Sequence, residues 1–268
     1  MKKLLGILLI IGLCSLSLPT LVSALAEGYT STDYQALTTP TMDGKWTTTN
    51  EWVDAAPPTN LGTDFVWREK WTYPSDIYQH FIIEFFTDST NDAEDYYEIC
   101  YDTSADGGTA PQADDVKVEW KGHSASGLKV YKGNGSGWVQ YTTLAAGAVN
   151  GSDTLTTSPL NSNQHWVFEL TILKTDIFDI SGSSYQPGLR VAVYDASNSA
   201  AGVKAWPAAS TNAPSTWGLE IGTMENIPES LAIVAVVVLS SFAVLAGAYV
   251  LRKRPFGNHR AVNAGLSF

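Results

Sequence analysis

Across residues 64–223 apolar side chains recur at every second position. Val116, Val118 and Trp120 alternate with Lys117, Glu119 and Lys121. Trp166, Phe168, Leu170 and Ile172 alternate with Val167, Glu169 and Thr171, and Leu189, Val191 and Val193 with Arg190, Ala192 and Tyr194. A period of two sends alternate side chains to opposite faces, so each run predicts a strand with one buried face. Residues 77–86 are apolar on both faces, which predicts a central strand. Residues 128–131 and 138–142 flank Gly133-Asn134-Gly135-Ser136-Gly137, the pattern of a hairpin with a glycine-rich tip. Outside the chain ends the one helical pattern is a short turn at residues 174–180. Many short strands between Gly, Ser, Asn and Asp clusters predict an all-β domain, an antiparallel β-sandwich of jelly-roll type, over residues 42–223. Residues 27–41, rich in Ser and Thr, read as a leader to it.

The two ends carry a different pattern. Lys2 and Lys3, an apolar run over residues 4–13 and the small residues Val22-Ser23-Ala24 make residues 1–26 a secretory signal peptide. Residues 231–251 hold no charge over 21 positions, enough for a helix to cross a bilayer. Arg252-Lys253-Arg254 follow at once, so residues 252–268 form a basic tail expected in the cytoplasm. With residues 224–230 as a short juxtamembrane linker, the expected location is the cell membrane: a single pass, with the domain outside.

Charge sharpens this picture. The chain has 27 acidic and 16 basic residues, a net charge of −11, yet every Asp and Glu lies within residues 27–229. A domain this acidic has no basic patch with which to displace counterions, so nucleic acid is excluded as a partner. All nine Trp fall in the same stretch, more than one core ordinarily needs. Once the signal peptide is removed Cys100 is the sole cysteine, so no internal disulfide forms.

Asp102, Ser104 and Asp106 place oxygen ligands at alternate positions before Gly107-Gly108, and Asp114 and Asp115 follow. Such spacing can wrap a chain around calcium, which takes six to eight oxygens. The twelfth position is Ala113 rather than Glu, so the loop is no EF-hand. Four histidines at no metal spacing make zinc unsuitable. Gly122-His123-Ser124-Ala125-Ser126 nearly spells a hydrolase elbow but lacks the final Gly, and no pair of carboxylates stands out, so no catalytic residue is assigned. Among the tryptophans, Trp67 and Trp71 are four apart with charges between them, Trp138 follows the glycine hairpin tip, and Trp206 sits in Ala205-Trp206-Pro207. Aromatic planes beside hydrogen-bonding groups are surfaces on which sugar rings stack. Asn134-Gly135-Ser136 and Asn150-Gly151-Ser152 are glycosylation sequons expected on turns, at Asn134 and Asn150.

Asp43-Gly44-Lys45-Trp46, followed by Asn50-Glu51-Trp52-Val53-Asp54-Ala55, resembles the opening of family 9 carbohydrate-binding modules, within the wider DOMON-like superfamily. Further matches follow in order: residues 81–88, residues 97–102 with the Asp106-Gly107-Gly108 turn, residues 165–172 and 190–195, and Ala205-Trp206-Pro207 onward to Gly218. The resemblance implies a β-sandwich that binds sugar ends between two Trp and carries structural calcium. By it, Trp206 corresponds to the late tryptophan; no motif fixes the early partner, for which Trp67 and Trp71 are the candidates. Haem, used elsewhere in the superfamily with Met and His ligands, is not expected, because Met42 and Met224 stand at the ends of the domain. The sequence thus predicts a membrane-tethered, non-catalytic glycan-binding module. The alternative is a structural or partner-binding surface protein, associated with a surface layer or accessory to a membrane complex.

Overall fold

The computed structural model describes residues 25–57, 59–60, 64–72, 78–177 and 186–223. These belong to one compact unit ending at Asn226; the second unit, Ile227–Phe268, lies outside them. The signal peptide as far as residue 24, the linker, the apolar segment 231–251 and the basic tail also fall outside the described residues. Among the described residues no helix is long and apolar enough to cross a membrane.

The domain is all-β. Its strands are β1 (Thr30–Gln35), β2 (Thr59–Asn60), β3 (Phe65–Thr72), β4 (Tyr78–Phe85), β5 (Tyr96–Asp102), β6 (Val116–Lys121) and β7 (Lys129–Gly133). They continue with β8 (Trp138–Gln140), β9 (Val149–Thr156), β10 (His165–Leu173), β11 (Gly188–Tyr194), β12 (Lys204–Trp206) and β13 (Gly218–Thr223). A single helical turn, α1 (Lys174–Ile177), follows β10 where the sequence predicts one. The strands form one mixed sheet in the order β8-β7-β6-β5-β11-β13-β1-β3-β4-β10-β9, with β12 on β11 and β2 on β3.

The sheet curls so that one face of β3, β4 and β10 meets one face of β5, β6 and β11 across a common core. Tyr97 of β5 stacks on Phe168 of β10 at 4.7 Å and 14°, and Phe81 meets Tyr101 edge-on at 6.4 Å. The alternation read from the sequence supplies this face: Val116, Val118, Trp120, Phe168, Leu170, Leu189, Val191 and Val193 are all buried in it.

Two expectations are corrected here. The sheet is not purely antiparallel, because β1 runs parallel to both of its neighbours, β13 and β3. Residues 27–41 are not a mere leader either, since they contain β1, in the middle of the sheet. Even Leu25 and Ala26 pack: Ala26 N–H donates to the Trp217 carbonyl at 2.8 Å, and a Cβ on Gly188 would meet Leu25.

A second, smaller core lies on the opposite side of β4 and β10, where Trp46, Trp52 and Ala55 cover Ile82 and Val167. The Asp43-Gly44-Lys45-Trp46 loop is fastened there by Glu169, a fully buried acid on β10. Its carboxylate accepts from the Asp43, Gly44 and Lys45 amides at 3.0, 2.9 and 3.4 Å and from Trp52 Nε1 at 2.9 Å. Burial pushes the Glu169 pKa up to about 8, against the pull of the Trp52 and backbone donors. Gly44 has φ +74°, and a Cβ there would lie 2.6 Å from the Asp153 backbone, so only glycine lets this loop settle onto β9.

Candidate functional site

Strand register builds a polar row on the sheet face opposite the main core. Arg190 of β11 lies beside Cys100 of β5, Cys100 beside Lys117 of β6, Lys117 beside Tyr131 of β7, and Tyr131 beside Gln140 of β8. One step along, Glu98 is paired with Glu119, and one step further Tyr96 is paired with Tyr194. Because side chains alternate, all of these share the face that Val191, Ile99, Val118 and Val130 do not use.

Charged groups hold one another in place along this row. Arg190 Nη1 donates to Glu98, Lys117 Nζ bridges Glu98 at 3.4 Å and Glu119 at 3.1 Å, and Tyr131 O–H donates to Glu119 at 3.2 Å. Burial works against the charge on Lys117, but the carboxylates of Glu98 and Glu119 raise its pKa above the ordinary value. Burial and Glu98 push the Cys100 thiol well up, which disfavours its thiolate form.

Aromatic rings flank the charges. Lys117 Nζ sits over the Tyr131 ring at 4.5 Å and near Trp138 at 5.8 Å. Trp138 lies parallel to Trp217 at 6.3 Å and 6°, and Tyr96 stacks on Tyr194 at 5.4 Å and 20°. Trp138, Tyr131, Tyr96 and Tyr194 are half-buried, whereas Trp217 is fully buried. Trp138 Nε1 and Arg190 Nε are buried donors with no partner. The face therefore offers partly open rings and the half-buried Glu119, over a buried charge network of Glu98, Lys117 and Arg190.

The tryptophans nominated from the sequence lie elsewhere. Trp206 and Trp67 are brought together, edge to face at 5.3 Å, but inside the main core. They are 5 % and 1 % exposed, and Trp71 is 7 % exposed. A ring enclosed in this way has no free face on which a sugar can stack. Only Trp138, singled out for its place after the glycine tip, stands on the polar row. Sequence pattern marked Lys117, Glu119 and Arg190 merely as outward-facing and did not single out Glu98; their pairing across strands needed the register.

The acidic turn after β5 does close up. Carboxylate oxygens of Asp102, Asp106 and Asp114 lie within 4.8 Å of one another. Asp102, fully buried, accepts from the Gly107 amide at 2.7 Å, and Asp115 accepts from the Gln112 amide at 2.6 Å. Asp114 Oδ2 and Asp115 Oδ1 are buried with no partner. Burial, aided by Asp102 and Asp114, raises the Asp115 pKa to about 7. Oxygen-only donors with unmet lone pairs suit a hard cation such as calcium, with Asp102, Asp106 and Asp114 to hold it and Asp115 adjoining. Ser104 is exposed and stands outside that group.

His123 has a structural place. It stacks on Trp166 at 3.6 Å, with Nδ1 2.5 Å from Asp153 and Nε2 3.1 Å from Asp95. Both ring nitrogens can donate only in the protonated form, and the two carboxylates raise the pKa despite burial. Asn134 is exposed at the β7–β8 tip, its Oδ1 accepting from the Ser136 and Gly137 amides at 3.0 Å each. Asn150 is also exposed but lies in the edge strand β9, not on a turn.

No protein-family model matches the chain, and no curated protein matches it. Solved structures similar to the chain include the following three. A putative carbohydrate-binding protein from Bacteroides uniformis aligns with 72 % of this chain and 98 % of its own, at 11 % identity and a TM-score of 0.47. A family 9 carbohydrate-binding module from Caldicellulosiruptor kristjanssonii in complex with cellotriose covers 74 % of this chain and 98 % of its own, at 16 % identity and a TM-score of 0.46. The same organism's module in complex with glucose covers 74 % and 99 %, at 15 % identity and a TM-score of 0.47.

Proposed function

We propose that the chain is a non-catalytic carbohydrate-binding module, and that the polar row of β11, β5, β6 and β7 is its sugar-binding platform. The observation that carries this reading is the juxtaposition of half-buried Tyr131 and Trp138 with the interlocked Arg190, Glu98, Lys117 and Glu119. Aromatic rings cover the apolar faces of a sugar, the half-buried Glu119 hydrogen-bonds its hydroxyls, and the buried Lys117, Glu98 and Arg190 hold that carboxylate in place at little ordering cost. The curled sheet, with its two halves facing across one core, corresponds in this reading to the sandwich expected from the sequence.

Calcium at the Asp102 turn and a membrane tether at residues 231–251 complete the proposal. The tether rests on the uncharged segment and the basic cluster behind it. Calcium rests on the unpartnered acid oxygens of the turn. Since a proton on Asp115 competes with the ion, millimolar calcium should raise the melting temperature more at pH 8 than at pH 6. Equal shifts at both values, or none, would remove Asp115 from the site.

A glycan array on the purified full-length chain tests the platform, followed by calorimetry on the best ligand. Trp138→Ala should weaken that ligand on the order of tenfold while the cooperative melt is retained. A folded chain that binds no glycan would overturn the reading.

A further inference from the structure

Strands β1 and β13 run parallel, matched from Thr30 with Leu219 to Tyr34 with Thr223, so both leave the sheet at the same end. Leu37, three residues beyond Tyr34, lies within roughly 15 Å of Thr223, because neighbouring strands are closely spaced and each residue adds little reach. From Thr223 seven residues, 224–230, lead to the uncharged segment 231–251. Even fully extended, such a stretch spans only about 25 Å.

Two large apolar side chains stand exposed here. Leu37 is 70 % and Val53 60 % exposed, more than any other large hydrophobic residue among the described ones. Their segments are joined: Asp54, next to Val53, accepts from the Leu37 and Thr38 amides at 2.8 and 3.2 Å. Lys70, fully buried, donates to the Thr38 and Glu51 carbonyls at 2.9 and 2.6 Å and to the Asp54 carboxylate at 2.8 Å. One buried ammonium thus fastens residues 37–38 and 51–54 into a single ledge. The acids of the ledge are engaged within it, since Glu51 accepts from the Thr41 and Thr47 amides at 2.8 Å each. In a chain with 27 acidic residues that spares this ledge the repulsion an anionic headgroup layer exerts on free carboxylates.

We propose that Leu37 and Val53 enter the interfacial layer of a lipid bilayer and seat the domain against it. The inference rests on the membrane tether proposed above. A tether this short keeps the end of β13, and the ledge with it, within reach of the headgroups. Aliphatic side chains gain by leaving water there, and a ledge already fixed by Lys70 loses little freedom on contact.

The test uses the full-length chain with Cys14→Ser, reconstituted into liposomes that carry nitroxide-labelled lipids. A fluorophore is placed on Thr39→Cys, or on Asn134→Cys for comparison, both exposed positions, while Cys100 is buried away from the label. Lipid quenching at residue 39 should exceed that at residue 134 severalfold. In Leu37→Ser/Val53→Ser it should fall by about half or more, with the melt unchanged because both positions are exposed. Equal quenching at the two sites, or quenching that the double substitution leaves unaltered, overturns the proposal. So does a ledge covered by a second copy, which would shield residue 39 from the lipid label. A chain that does not float with the liposomes removes the tether and the ledge contact together; flotation without quenching at residue 39 removes the ledge contact alone.

Discussion

Replacing Trp206 with Ala should lower the stability of the domain by ~3–5 kcal/mol, the usual cost of removing a large aromatic side chain from a packed interior. The indole is 5 % exposed and fills the space between Trp67, at 5.3 Å, and Tyr29, at 6.4 Å. It also rests directly on Gly218, where an added Cβ would come within 2.6 Å of the ring. Its strand, β12, is tied to β11 through Val191, Ala192 and Val193, so the backbone cannot easily collapse into the void. Urea denaturation should show a lower midpoint with an unchanged slope. Glycan affinity, measured well below that midpoint, should stay within a few-fold of the parent. The reverse outcome, intact stability with lost affinity, would return Trp206 to the role of a sugar platform.

Glu169→Ala should be comparably severe. Its carboxylate gathers three consecutive amides and the Trp52 indole from a loop more than a hundred residues away in sequence. Each buried donor left without an acceptor costs ~1–3 kcal/mol; because water can reach Lys45 and Asp43, the sum should settle near ~4 kcal/mol. Above pH 8, where Glu169 is ionised, Glu169→Gln turns one acceptor into a donor aimed at other donors and should recover less than half of the loss. The gap should narrow at lower pH, where Glu169 itself carries a proton. Tryptophan fluorescence should report early exposure of Trp46 and Trp52 in both variants, before the main transition. A loop that stays docked in Glu169→Ala would mean that the Trp46 and Trp52 contacts suffice to hold it.

The alternation along β6, β10 and β11 was readable because each strand buries one face against the main core. β1 was not, and the reason is chemical. Its inward positions are Ser31 and Asp33, 5 % and 0 % exposed, and a buried acid reads from sequence like a solvated loop. Asp33 is accommodated by Lys174 at 3.1 Å, a partner about 140 positions away that no local pattern could supply. The Asp43-Gly44-Lys45-Trp46 motif was legible as a motif, but its task, wrapping Glu169, depends on β10. Likewise Trp67 and Trp206 looked available because charged or loop-like neighbours surround them. The fold turns both inward and leaves Trp138 on the face where Lys117 and Arg190 meet their acids. Local spacing did place Asp102 and Asp106 together, but it also offered Ser104, which stays outside the cluster that Asp114 completes.

The pairing of β1 with β13 also bears on how the chain reaches this state during synthesis. Thr30 is matched with Leu219 and Tyr34 with Thr223, partners separated by about 190 residues. The first strand to be made therefore waits, with Ser31 and Asp33 unsheltered, until the last one emerges. Contacts this distant in sequence close slowly, because the loop entropy is spent before the pairing returns anything. Until then the unfilled slot between β3 and β11 is open to any extended segment, including β13 of another copy still being made. Such an exchange would yield intertwined dimers from crowded synthesis, and slowing translation ahead of residue 218 should change their yield without altering a single contact of the finished domain.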